Sequence, residues 1–125
     1  MENLTDENKR SIINGFLRNM LGIADKEYQN RIWIKGEGPE CDDFDETVCD
    51  FFGDSDSIIK NYKDFGITEH QHLLLKKFHT SFKRFCHENN YPEEFIDTPE
   101  WNNIINMAQE VLIAFNYQKD SRSFS

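Results

Sequence analysis

Between Lys35 and Lys60 the chain carries nine carboxylates and no base: Glu37, Glu40, Asp42, Asp43, Asp45, Glu46, Asp50, Asp54 and Asp56. Over all 125 residues there are 14 Lys and Arg against 23 Asp and Glu. The rest of the sequence is therefore balanced, and the net charge of −9 resides in this one segment. Converging carboxylates can hold a divalent cation, and Asp42, Asp45 and Asp54 could supply oxygens. The spacing is not that of an EF-hand, because Asp54-Ser-Asp56 lacks the later glycine and the terminal glutamate. Asp42, Asp43, Asp54 and Asp56 also suit the first turn of a helix, where the macrodipole favours negative charge. Capping alone does not account for nine acids without a compensating base. A surface for a basic partner does, whereas a phosphate backbone requires the opposite charge. The residues expected on that surface are Glu40, Asp42, Asp43, Asp45, Glu46, Asp50, Asp54 and Asp56, with Phe44 and Tyr62 supplying apolar contact. No catalytic residue, metal ligand or cofactor is assigned.

The other chemistry-bearing residues form weaker patterns. His72, His79 and Cys86 recur every seven residues, which places them near one stripe of a helix but about 10 Å apart, too far to ligate one ion together. Their expected setting is a solvated face shared with Lys76 and Lys83. A trio of His79, Asp97 and Cys86 has nothing in the sequence to bring it together. Phosphate-binding glycine loops, nucleophile elbows and dinucleotide fingerprints do not occur. Cys41, Cys49 and Cys86 are an odd number without a Cys-x-x-Cys pair, so free thiols in a reducing cytoplasm are expected. The opening residues lack a basic and an apolar region, so no secretory signal is expected, and no apolar run is long enough to span a bilayer.

Helices must position these groups. Thr5 caps the first, with Ile12, Ile13, Phe16, Leu17, Met20 and Leu21 at helical spacing and Gly22 as its stop. Asp25 opens a shorter segment carrying Tyr28, Ile32 and Trp33, although the alternation over 31–34 also allows a short strand. Residues 36–39 form a turn. Asp42 or Asp43 caps a helix with Phe44, Val48 and Phe51 or Phe52 inward. Gly53 is expected to end it, and Asp54 or Ser55 to start another with Ile58, Ile59, Tyr62 and Phe65 inward, closed by Gly66. Thr68 and Gln71 have the form of a capping box for the longest helix, over 69–89. Its stripe is Leu73, Leu74, Phe78, Phe82 and Phe85. Pro92 to Ile96 forms one turn. Thr98 caps the last helix, with Pro99 at its first position. Trp101, Ile104, Ile105, Ala108, Val111, Leu112 and Phe115 continue it to about Tyr117, and residues 118–125 fray. Trp33 and Trp101 fit either a core or an interface, and their helical phase favours the core. The expectation is one all-α domain over 1–125, a bundle of about five to seven helices.

The phrases Arg31-Ile-Trp-Ile-Lys-Gly-Glu-Gly-Pro39 and Asp42-Asp-Phe-Asp-Glu-Thr-Val48, running into Asp50-Phe-Phe52, resemble small immunity proteins of bacterial contact-dependent growth inhibition systems. Tyr91-Pro-Glu-Glu-Phe-Ile-Asp-Thr-Pro-Glu-Trp101 and the helix from Asn103 to Phe115 are similar as well. The resemblance covers about 31–117. It implies a cytoplasmic, non-catalytic antidote that binds the toxic C-terminal domain of a neighbour's effector, often a nuclease with a basic cleft, without itself contacting nucleic acid or membrane. Contact residues differ between such families, so the acidic surface rests on charge and not on the resemblance. The alternatives are a small metal-dependent hydrolase using the 42–56 carboxylates and a helical adaptor or regulator.

Overall fold

The computed structural model describes residues 5–37 and 43–115, and all of the regular structure there is helical. The helices are α1 (Asp6–Ile23), α2 (Lys26–Tyr28, continued by a π-helical segment, Gln29–Ile34), α3 (Phe44–Lys60), α4 (Glu69–Glu88), α5 (Pro92–Phe95) and α6 (Pro99–Ala114). The expected all-α bundle is what forms. Glu40, Cys41, Asp42 and the tail 118–125 lie outside the described residues.

Local chemistry sets the helix starts. Side-chain oxygens of Thr5, Asp25, Asp43, Thr68 and Thr98 accept from backbone N–H groups of the first turns of α1, α2, α3, α4 and α6, which satisfies donors a helix leaves open. At α4 the box is complete. Gln71 N donates to Thr68 Oγ1 at 3.1 Å, and Thr68 N to Gln71 Oε1 at 2.8 Å. The Gln71 amide also donates to Ala114 O at 2.9 Å, tying the start of α4 to the end of α6.

The four long helices pack in the cyclic order α1, α3, α4, α6. Gly15 meets Asp54 while Arg18 and Asn19 lie by Cys49 and Asp50, and His79 meets Asp56 while Cys86 lies by Asp45. Gln71, at the start of α4, meets Ala114 at the end of α6. Phe16 meets Phe115 while Gln109 reaches Ala24, so each neighbouring pair runs antiparallel. Phe16, Phe51, Phe78 and Phe82 fill the centre and are fully buried. At one end Trp101 is surrounded by the rings of Trp33, Phe44, Phe85 and Phe95, with α5 and the π-helical segment closing over them.

Several expectations are corrected. Gly53 does not end a helix, and Asp54 and Ser55 are interior positions of α3 rather than caps. Glycine costs about 1 kcal/mol inside a helix, but Phe44, Thr47, Phe51, Ser55 and Ile58 form one unbroken buried stripe across it, and packing outweighs propensity. Gly22 lies within α1, which runs on to Ile23; a Cβ there would come 3.2 Å from the Tyr28 ring. The strand alternative at 31–34 gives way to the π-helical segment. Leu73 is 61% exposed, because Leu75, Phe78, Phe82 and Phe85 set the buried line of α4 and a residue two positions before Leu75 points about 160° away.

Candidate functional site

The outward half of α3 carries the acidic surface. Asp43, Asp45, Glu46, Asp50 and Asp56 are exposed, Asp54 is half-buried, and Lys60 at the C-terminal end is the one base of the helix. At 100° per residue these acids spread over about 180° of the helix circumference. They divide between its two edges. Glu46, Asp50 and Asp54 follow at four-residue intervals along the edge facing α1, while Asp45 and Asp56 lie along the edge facing α4.

On the α1 edge, Asp54 lies against the backbone of Gly15, where a Cβ would sit 2.8 Å from its Oδ2. Burial raises the Asp54 pKa from the ordinary carboxylate value, Asp50 raises it further, and Arg18 opposes both. A cavity of about 230 Å³ opens here, walled by Gly15, Arg18, Asn19, Cys49, Asp50, Gly53 and Asp54. Gly53 shows bare backbone to it, with nothing within 4 Å of a Cβ placed there. A second cavity of about 280 Å³, lined by Leu21, Gly22, Asp25 and Tyr28, shares Arg18 as a wall.

On the α4 edge, the seven-residue stripe proves to be the seam with α3 rather than the expected solvated face. Cys86 is raised by burial, and then by the charge of Asp45, to a pKa of about 12. His79 Nε2 lies 2.9 Å from Asp56 Oδ1, and its ring meets Phe52 edge-on. His72 stacks on Tyr62 with ring centroids 3.7 Å apart. The imagined trio is not assembled, since Asp97 pairs with Lys26 Nζ at 3.6 Å. Cys49 and Cys86 are both free thiols, with Cys49 exposed. In native protein at pH 8 the Cys86 thiol stays almost wholly protonated, whereas the thiolate is the reactive form. Brief iodoacetamide treatment is therefore expected to modify Cys49 and spare Cys86, as read by peptide mass mapping. Equal modification of both would contradict this packing.

Two residues expected at the binding surface sit elsewhere. Phe44 is 4% exposed and packs on Trp33, Phe95 and Trp101, so it serves the core and is not free to meet a partner. The reason is its phase: one position after the Asp43 cap, it starts the buried stripe of α3. Tyr62 lies beyond the end of α3, and its hydroxyl donates to Glu69 Oε2 at 2.6 Å. Asp45 and Asp54 occupy opposite edges of α3 and are about 14 Å apart along its axis, so they cannot share an ion. Among the described residues no three His, Cys, Asp or Glu side chains are grouped to hold a metal, and no helix is long and apolar enough to cross a membrane.

Gln29 was not singled out by the sequence reading. It is fully buried, donating to Gly22 O at 2.9 Å and Ile23 O at 2.8 Å and accepting from Trp101 Nε1 at 2.8 Å. Its one sequence signal is a polar residue at an apolar phase between Tyr28 and Ile32. The role is architectural: it locks the π-helical segment to the end of α1 and to α6. No protein-family model, curated protein or solved structure matches the chain.

Proposed function

We propose that this chain is a non-catalytic, cytoplasmic antidote that captures a basic toxin domain of the contact-dependent inhibition type, a nuclease with a cationic cleft, and occludes that cleft. The observation that supports this reading is the solvent-facing half of α3, where acids cover both edges and a single base stands at the far end. A cleft that binds phosphates must be basic, and a rigid acidic helix can fill it while long-range attraction speeds capture. The likeness of the 31–117 phrases to immunity proteins supplies the class of partner. The bundle suits the task, because α3 is held on both sides by α1 and α4 and so meets its partner already ordered.

The test is direct. The C-terminal domain encoded by the reading frame immediately upstream is expressed, and its complex with this protein is measured by calorimetry alongside protection of cells producing that domain. Stoichiometric binding with protection is expected. A domain that binds without loss of toxicity, or that does not bind, would overturn the proposal.

A further inference from the structure

We infer that the groove between α1 and α3 receives an arginine side chain of the basic partner, its guanidinium between Asp50 and Asp54, with a neighbouring apolar group of the partner over Leu21 and Tyr28 in the adjoining cavity where α1 meets α2. This deepens the proposed function and rests on it for the kind of partner. Three features single out this groove within the acidic surface. Each of the two cavities meeting at Arg18, about 230 and 280 Å³, is smaller than the roughly 300–1,000 Å³ of a small-molecule site, which suits side chains better than a metabolite. Their lining is asymmetric. Asp50, Asp54 and Asn19 offer acceptors at one end, and at the other Leu21 and Tyr28 form an aliphatic and aromatic wall beside Asp25, a division that fits a cationic head followed by a residue with an apolar body.

The third feature is that the cleft is open by virtue of two glycines. Gly15 lets the Asp54 carboxylate settle on the α1 backbone, and Gly53 leaves its rim without a side chain. Asp50 and Asp54, one turn apart on α3, repel one another, and burial adds to the cost of the Asp54 charge. Arg18 offsets that charge only in part, so the two carboxylates can still take an incoming cation. A planar guanidinium can bridge two carboxylates, which a compact ammonium does less well.

The probe is L-argininamide, titrated into the full-length protein while backbone amide shifts are followed by NMR, with L-lysinamide and matched sodium chloride as parallel arms. Saturable shifts centred on Gly15, Asn19, Asp50, Gly53 and Asp54 are expected, stronger for argininamide than for lysinamide. Gly53→Trp fills the groove mouth without altering charge, and because nothing lies near that Cβ the helical signal should persist. It is expected to weaken the site at least tenfold, as is Asp54→Asn. Shifts spread evenly over Asp45, Glu46 and Asp56 would reveal diffuse counter-ion attraction and overturn the inference, as would unchanged saturation in both variants. Against the toxin domain, equal capture by wild type and Gly53→Trp would overturn the groove and leave the proposed function standing. Loss of capture by wild type itself would overturn the proposed function.

Discussion

Trp101→Ala is expected to lower folding stability by about 3–5 kcal/mol, a large share of the roughly 5–15 kcal/mol that holds a domain of this size together. The side chain is fully buried amid five aromatic rings, so truncation opens a cavity that those rigid neighbours cannot close. It also strands the buried Gln29 oxygen that accepted from Nε1. Trp101→Phe separates the two losses. It keeps most of the volume and forfeits the hydrogen bond, with an expected cost of about 1–3 kcal/mol. Gln29→Leu is expected to cost about as much or more, since it removes the amide donor to the Ile23 carbonyl as well as the acceptor of the indole N–H. The two changes should combine less than additively, because they break one shared bond. Phe78→Ala, at another fully buried ring, should match the Trp101→Ala loss. Denaturant midpoints are the measurement, and unchanged midpoints for Trp101→Ala and Phe78→Ala would reject the helical phasing.

That phasing was legible because it is local. Thr5, Asp25, Thr68 and Thr98 announce helix starts through side chains that bond three residues on, and the structure uses each of them. Where apolar spacing and a punctuating residue disagreed, spacing prevailed. Gly53 reads as a stop, yet the continuity from Phe51 to Ser55 and Ile58 carries α3 through it. Leu73 and Leu75 are equally apolar, but only Leu75 is in helical register with Phe78, Phe82 and Phe85, and that line is the buried one. The π-helical segment was hidden because its contacts are not local. Trp33 packs on Phe44 and Trp101, and Gln29, the first residue of the segment, is held by Trp101 from 72 residues away in sequence.

The candidate surface was half legible. Charge alone marks the acids, and it cannot tell Asp45, beside Cys86, from Asp54, against Gly15. Both environments depend on the antiparallel pairing of α3 with its two neighbours. Phe44 illustrates the opposite error, in which nearness to acids in sequence stood in for nearness in space. The glycines of the groove carry no signal until α1 and α3 are side by side.

The largest functional effect is expected from neutralising the exposed charge while leaving the fold alone. A triple variant, Asp45→Asn, Glu46→Gln and Asp56→Asn, spares the groove and retains the Asp43 cap, whose side chain accepts from Glu46 N at 2.8 Å, so α3 should stay intact by circular dichroism. Steering of this kind changes association rates by about 10- to 1,000-fold and is screened over roughly 10 Å at 0.1 M salt. Association of the triple variant with the toxin domain should therefore slow about tenfold or more at low salt and depend far less on added salt than wild type. The groove and the rest of the acidic surface should then separate kinetically. Asp45, Glu46 and Asp56, exposed and away from the groove wall, act on encounter and should leave dissociation nearly unchanged. Asp54→Asn removes a half-buried carboxylate from the groove and should speed dissociation, by a loss on the order of 2–5 kcal/mol if it pairs with a desolvated guanidinium. Association and dissociation rates at two salt concentrations, for wild type and both variants, decide the matter. Identical rates throughout would move the interface off α3, to the exposed side of α4 between His72 and Lys83, where the basic residues of this chain would face an acidic partner instead.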